Sequence, residues 1–325
     1  MTIQTQEAGK RRNDRIICVV GPTASGKTAL SVALAKTLGG EVISADSMQL
    51  YRGMDVGTAK VTQREMQGIP HHMIDVAEPW ESFSAARFVE LADPILQDIL
   101  RRGKTAIIAG GTGLYVDALI AGRTFAPYPE TGRREALEQE AREKGMEHLL
   151  ERLRQVDPDS ADRLHLADSK RIIRALEVYE ETGKTITQHN LETKAQPNRY
   201  FPLWVGLNYD PRQLLYDRIN LRVDRMLEAG LLAEFRALLA AGIPQSATAL
   251  QAIGYKEFLP VLTQGASLEE AVEQVKQGSR RYAKRQLTWF RRNPEVFWIL
   301  RREHTTDQQV LETALQYIRS FDIGI

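Results

Sequence analysis

The sequence predicts an α/β protein in which a parallel sheet of buried strands alternates with helices and carries a mainly helical inserted lobe. Three observations lead there. Short apolar runs rich in β-branched residues end in glycine or a small polar residue, as buried parallel strands do. Amphipathic helical stretches follow these runs. From Glu130 to Gly183 the strand signal disappears, and Glu, Arg and Leu dominate instead.

In chain order, Arg15–Val20 (RIICVV) reads as a buried strand ending at Gly21. Thr28–Leu38 then places Leu30, Leu34 and Leu38 at helical spacing and stops at Gly39-Gly40, a good helix terminator. Glu41–Ala45 (EVISA) and Lys104–Ala109 (KTAIIA) are the next strands, with an amphipathic helix from about Ser84 to Leu100 between them. Strand, helix, strand in that order describes a doubly wound core. The character changes near Pro127, where Leu137, Ala141, Leu149 and Leu153 mark the helical lobe. A polar stretch, Thr187–Arg199, leads to a strand at Phe201–Leu207. Helices follow at Pro211–Ala241 and Leu268–Arg291, then a strand at Val296–Leu300 and a tail helix beyond Arg302. The expected organisation is residues 13–126 for the first part of the core, 127–197 for the helical lobe, 198–303 for the rest of the core and 304–325 for the tail. No repeat period suggests a solenoid.

Composition sets the class. The chain has 325 residues, enough for one large domain or two ordinary ones. At 43% hydrophobic and 26% charged it has the profile of a folded soluble protein. Its single cysteine, Cys18, excludes an internal disulfide and fits a reducing compartment. The first fifteen residues lack the apolar core of a signal peptide, and no run approaches the roughly 20 apolar residues of a membrane span. A cytoplasmic protein without a membrane partner is expected. With 43 Lys and Arg against 42 Asp and Glu, global charge carries no argument about nucleic acid, so local clusters must.

The strongest motif is Gly21-Pro22-Thr23-Ala24-Ser25-Gly26-Lys27-Thr28, which satisfies G-x-x-x-x-G-K-[ST] after a strand and before a helix. Glycines let backbone N–H groups turn onto phosphate oxygens, and the helix N-terminus adds a favourable dipole. Lys27 places a charge on a diphosphate, and the Thr28 hydroxyl suits a Mg²⁺ ligand. The core is therefore P-loop NTPase-like. The motif identifies a diphosphate site without identifying ATP.

A motor ATPase or GTPase would end a neighbouring strand in Asp to hold Mg²⁺. Here TAIIA runs into Gly110-Gly111-Thr112-Gly113 without an acid, and no guanine-reading N-K-x-D is present. The acid comes earlier, as Asp46 after the second strand, at the sheet end that faces the phosphates. It suits a general base, and equally a loop-capping carboxylate.

One segment is locally basic. Lys276, Arg280, Arg281, Lys284, Arg285, Arg291 and Arg292 occur without an acid between them, among Tyr282, Trp289 and Phe290. Arg281, Lys284, Arg285 and Thr288 share one helical face. That face suits nucleic-acid phosphates, and it also suits a solvated helix over core aromatics. His71-His72 lacks companions at metal-ligand spacing and reads as structural, Cys18 as a core residue, and Glu180-Glu181 as a helix end.

Long motifs in order then identify a resemblance. VVGPTASGKTALS, EVISADSMQLYRGMDVGTAK, HHMID, FSAARF and IIAGGTGLY resemble the tRNA dimethylallyltransferases, or tRNA isopentenyltransferases. The likeness continues through SKRIIRALEVYEETGKT, DRINLRVDRMLEAGL, QAIGYKE and KRQLTWFRR, from about Arg15 to Arg292. It implies transfer of a dimethylallyl group from dimethylallyl diphosphate to the N6 amine of the adenosine just 3′ of the anticodon, in tRNAs reading codons that begin with U. The P-loop would hold the donor's diphosphate, Asp46 would match the general base, and Thr112 would match a threonine near adenine and diphosphate.

The resemblance also implies tRNA contacts, with the anticodon stem-loop as the partner, and a monomer is expected because channel-type tRNA binding works in one. The contacts are Asp46, Ser47, Met48 and Gln49 with Thr112; Arg134, for which Arg133 is the alternative; and Lys170, Arg171, Ile172, Ile173 and Arg174. Gln251, Ala252, Ile253, Gly254, Tyr255 and Lys256 form another group. The last joins Arg281 with Lys284, Arg285, Gln286, Leu287, Thr288, Trp289, Phe290 and Arg291. Two other classes keep the same P-loop: a nucleotide or nucleoside kinase with a helical lid, and a non-catalytic RNA-binding switch. The kinase leaves the basic segment without a task, and the switch does the same for Asp46.

Overall fold

The computed structural model describes residues 16–123, 131–195 and 197–321. Arg15, Pro127 and Glu130, named above, lie outside them. The chain divides into two compact units: Met1–Gly122 with Arg199–Ile325, and Arg123–Asn198.

The first unit begins with β1 (Ile16–Val20), α1 (Lys27–Leu38), β2 (Gly40–Ser44), β3 (His71–His72), α2 (Ala85–Arg101), β4 (Thr105–Gly110) and α3 (Gly113–Ala121). The second unit contains α4 (Arg133–Lys144), α5 (Met146–Val156), α6 (Ser169–Thr182) and α7 (Ile186–Ala195). The chain then re-enters the first unit with β5 (Leu203–Tyr209), α8 (Arg212–Glu228), α9 (Leu231–Ala240), α10 (Leu268–Phe290), β6 (Phe297–Arg301) and α11 (Asp307–Arg319). Short helical turns fill several connections.

The six strands form one parallel sheet in the order β3-β2-β4-β1-β5-β6. Register follows the burial pattern. Ile16, Cys18 and Val20 join one core with Phe88, Leu96 and Tyr115, while Ile17 and Val19 join another with Leu30, Leu34 and Ile318. Strand side chains alternate between faces, so a sheet apolar on both needs helices on both. Cys18 is wholly buried, and burial pushes its thiol up. Each fully buried Leu or Ile contributes roughly 1.5–3 kcal/mol relative to exposure.

Helix ends follow local chemistry. Gly39 adopts φ 61° and returns its N–H to Ala35 O, closing α1. Ser84 caps α2 by accepting from Arg87 N at 3.2 Å, and Ser267 caps α10 by accepting from Glu270 N at 3.3 Å. The single helix predicted over Pro211–Ala241 is two, because Gly230 at φ 97° separates α8 from α9. β3 was not predicted. It pairs Val42 with His71 and Ile43 with His72, and His72 Nε2 meets Glu41 Oε2 at 2.8 Å. Arg102 and Lys104 also bond Glu41, and the Arg102 hydrogen bond is the main reason its carboxyl lies far below the usual range. His72 is thus an edge-strand residue held by a buried carboxylate.

In the second unit, Leu137, Leu149, Leu153, Ile172 and Leu176 form the core. Its α7 lies where a polar stretch without helix was expected, and Asp157 holds it by accepting from Thr187 N at 3.1 Å and Thr187 Oγ1 at 2.7 Å. Among the described residues no helix is long and apolar enough to cross a membrane.

Candidate functional site

Three neighbouring strands, β2, β4 and β1, deliver their carboxyl ends to one side of the sheet of the first unit. At the end of β1 the P-loop turns into α1 through Ala24 at φ 62° and Gly26 at φ 95°. α1 has no acidic residue in its first turn and no side-chain cap, so its N-terminal amides keep their attraction for an anion. Ser25 Oγ is buried without a protein partner beside them. Lys27 Nζ donates to Pro22 O at 2.7 Å, and burial pulls its pKa down to about 7, against the raising effect of Asp46. Not every loop amide points the same way: Thr23 N donates to Gln286 Oε1 at 2.8 Å.

At the end of β2, Asp46 Oδ1 accepts from Met48 N at 2.9 Å, so the carboxylate caps its own turn. The ladder continues past the strands, with Ala45 N donating to Ala109 O at 2.8 Å and Thr112 N to Ala45 O at 3.2 Å. Thr112 is thereby brought against Ser47, whose N–H donates to Thr112 Oγ1 at 3.0 Å. Missing side chains make this approach possible. A Cβ on Gly110 would stand 2.2 Å from Ala45 O, on Gly111 2.0 Å from Gln286 Nε2, and on Gly113 2.2 Å from Trp289 Cδ1.

The P-loop, the Asp46–Gln49 turn and the end of β4 line a cavity of about 550 Å³ together with α8, α10 and the 251–256 segment, and Thr112 meets this lining through Ser47. Lys27, Asp46, Arg218, Arg222, Arg225, Lys256 and Arg285 bring charge to the lining and Thr28 a hydroxyl, while Met48, Val223, Met226, Ala252, Ile253 and Val275 supply apolar wall. Arg218 and Arg222 were not singled out from sequence as site residues. Arg218 Nε donates to Ala24 O at 3.1 Å, and Arg222 Nη2 to Thr58 O at 3.4 Å. Burial lowers the Arg222 pKa, and Asp46 opposes that. The available signal was the four-residue spacing of two arginines in DRINLR, which places both on one helical face.

On α10 the outer face carries Arg281, Lys284, Arg285 and Thr288, all exposed. Arg285 lies over the Tyr282 ring at 5.5 Å, and Arg292 over Trp289 at 5.7 Å. Burial, with help from Asp46, pushes the Tyr282 hydroxyl up to about 12. Leu287 and Phe290 belong to the core, as does Tyr255, whose hydroxyl donates to Glu234 Oε1 at 2.6 Å. Gln251, Lys256 and Arg291 are exposed.

The predicted residues of the second unit form their own group. Lys170 and Arg171 are exposed, whereas Ile172 and Ile173 are buried. Arg134 and Arg174 both reach the buried Glu177 carboxylate, at 3.2 and 2.7 Å, and Arg133 pairs with Glu180 at 3.3 Å.

For Mg²⁺ the loop offers the Thr28 hydroxyl, and among the described residues no group of three His, Cys, Asp or Glu could hold a metal. One hydroxyl fits a cation held chiefly by phosphate and water oxygens, as Mg²⁺ commonly is.

Comparison with known proteins shows the family. The family model described as IPP transferase matches residues 49–293, and one described as isopentenyl transferase matches residues 14–81. A tRNA dimethylallyltransferase of Acetivibrio thermocellus is 47% identical over 311 residues, 95% of this chain and 99% of that one. The crystal structure of a tRNA isopentenylpyrophosphate transferase from Bacillus halodurans is 42% identical with a TM-score of 0.71, covering 95% of this chain and 97% of the other. A eukaryotic dimethylallyltransferase, captured acting on tRNA, is 30% identical with a TM-score of 0.79, over 94% and 80% of the two chains.

Proposed function

The chain belongs to the IPP transferase family, and on that premise we propose that it is a tRNA dimethylallyltransferase, moving a dimethylallyl group from dimethylallyl diphosphate to the N6 amine of an adenosine in tRNA. The target is the adenosine 3′-adjacent to the anticodon in tRNAs reading codons that begin with U. One observation carries most of this reading: a P-loop lysine, a strand-end carboxylate and two helix arginines line a single cavity with an apolar wall. The charged part suits a diphosphate, the wall suits a five-carbon hydrocarbon, and the carboxylate suits an acidic N–H.

In this mechanism Lys27, Arg218, Arg222, Ser25 Oγ and the amides at the start of α1 take the diphosphate and absorb charge as its C1–O bond breaks. The electron pair of that bond leaves with the diphosphate oxygen. The N6 lone pair forms the new bond to C1, the amine becomes strongly acidic, and its proton passes to Asp46. Thr112 and Ser47 hold the adenine edge beside the donor. Mg²⁺, bound by the Thr28 hydroxyl and by phosphate oxygens, would supply further neutralisation of the leaving group.

The adenine must leave its stack to reach the cavity. Arg281, Lys284, Arg285 and Arg291 then meet the phosphates of the anticodon stem-loop, with the exposed Lys170 and Arg171 of the second unit as further contacts. The enzyme works as a cytoplasmic monomer.

Nucleoside mass spectrometry of tRNA incubated with the protein and dimethylallyl diphosphate tests the reading. Prenylated adenosine, formed without ATP, is the expected product. ATP-dependent phosphorylation of a small acceptor would replace this reading with the kinase, and tRNA-stimulated ATP hydrolysis without a modified base would replace it with the RNA-binding switch.

A further inference from the structure

Gln286 lies on the inner face of α10 and is 4% exposed. Its side chain spans two loops that are distant in sequence. Oε1 accepts from Thr23 N of the P-loop at 2.8 Å, and Nε2 donates to Gly111 O of the turn after β4 at 3.0 Å. Both partners are main-chain groups of fixed polarity, so the side chain must accept at one end and donate at the other, as the amide does in this one orientation. The space is made for it, since a Cβ at Gly111 would stand 2.0 Å from Nε2. The next residue after Gly111 is Thr112, whose Oγ1 accepts from Ser47 N at 3.0 Å.

We propose that Gln286 is a positioning residue that ties the loop gripping the leaving diphosphate to the turn that presents Thr112, and that it does not contact tRNA. This rests on the transferase reading above. The reaction needs C1 to lie between the departing oxygen and the incoming N6, and these two ends are held by different loops. Without the amide the loops can drift apart, and a displacement of about 1 Å in such an arrangement costs on the order of a hundredfold in rate. The same helix presents Arg281, Lys284 and Arg285 outward, so a tRNA seated on them would press on the element that sets this spacing.

Two variants test it, Gln286→Met and Gln286→Glu. For Met, kcat at saturating donor and tRNA should fall by roughly ten- to a hundredfold. Its tRNA Kd should stay within about twofold of wild type, as expected for a group acting only in the transition state. For Glu, the ionised carboxylate would face Gly111 O with no proton to donate. Buried carboxyls have raised pKa values, so activity relative to wild type should recover as pH falls from about 7.5 to about 5.5, and the Met variant should show no such recovery. Amide hydrogen exchange, which needs no activity, should show faster exchange at residues 21–26 and 110–113 in Met. Weaker tRNA binding with normal kcat at saturation would overturn the proposal and make Gln286 a tRNA contact. Unchanged kinetics and unchanged exchange in both variants would overturn it outright. Lack of transfer by the wild-type protein, with Met still loosening both loops, would fault the transferase reading and leave the tie between the loops standing.

Discussion

The two faces of α10 obey opposite rules. Inward, Ala283, Gln286, Leu287 and Phe290 are buried, and Gln286 has a partner for each end of its amide. Outward, Arg281, Lys284, Arg285 and Thr288 stand exposed with no acidic residue between Lys276 and Arg292 to neutralise them. A buried polar group must be satisfied by the protein itself, whereas an exposed cation is solvated and free to exchange water for phosphate. The inner face therefore sets geometry, and the outer face is suited to affinity. Substitutions on the two sides should separate in kinetics: buried groups at the strand ends should govern rate, and exposed ones should govern binding and its salt dependence.

The largest effect is expected from the P-loop. Lys27→Ala should lower transfer on the order of a thousandfold, with tRNA affinity unchanged, as measured by single-turnover prenylation and filter binding. Normal transfer would remove the donor from the loop. Asp46→Asn should lower the single-turnover rate by about a hundredfold or more at saturating donor. Because Asn can still accept from Met48 N, folding should survive and both substrates should bind as before. A near wild-type rate would leave Asp46 only its turn-capping role.

The outer face gives the contrasting result. Replacing Arg281, Lys284 and Arg285 together by Ala should reduce the log–log slope of tRNA affinity against salt by about 2 to 2.7, from three contacts at about 0.7–0.9 each. Donor binding and kcat at saturation should hold when only Arg281 and Lys284, which do not line the cavity, are replaced. An unaltered slope would make this face ordinary solvated surface and dissolve the contrast.

The smallest effect concerns pH. Lys27 has its pKa pulled down to about 7 by burial, and a bound diphosphate favours the ammonium. Donor binding then takes up a proton when pH exceeds 7, so donor affinity should weaken by up to about tenfold per pH unit above that point. Below about 7 the lysine is already charged and this contribution levels off. Isothermal titration with dimethylallyl diphosphate across pH 6.5–9 checks the sign, and Lys27→Ala should flatten the curve.

Much of this was readable from the chain. Apolar runs rich in β-branched or aromatic residues located five strands, because strands buried within a parallel sheet have little freedom in composition. The loop and the position of Asp46 followed from motif and strand order. Other features lacked a local signal. β3 has two residues, too few for any alternation, and it exists because Val42 and Ile43 offer it a ladder. ITQHNLETKA has too few apolar residues for a stripe, and its helix is held by Asp157 from thirty positions away. Arg218 and Arg222 belong to the site through the packing of α8, which spacing alone could not distinguish from surface. Gln286 looked like one polar residue in a basic segment, since nothing near it in sequence reveals that its partners are Thr23 and Gly111.

The turn Gly110-Gly111-Thr112-Gly113 bears on how this protein can change over generations. Each glycine is bare because a different neighbour occupies the place of its side chain: the Ala45 backbone just past β2, Gln286 and Trp289. Thr112 alone keeps a side chain, and it faces Ser47. A substitution at 110 collides with backbone, which cannot step aside, while those at 111 and 113 would require a second change on α10. The three glycines are thus positions where single mutations have little room. Variation in substrate preference must arise elsewhere, on the apolar wall of the cavity, where Met48, Met226 and Ile253 can be exchanged one at a time without disturbing the strand ends.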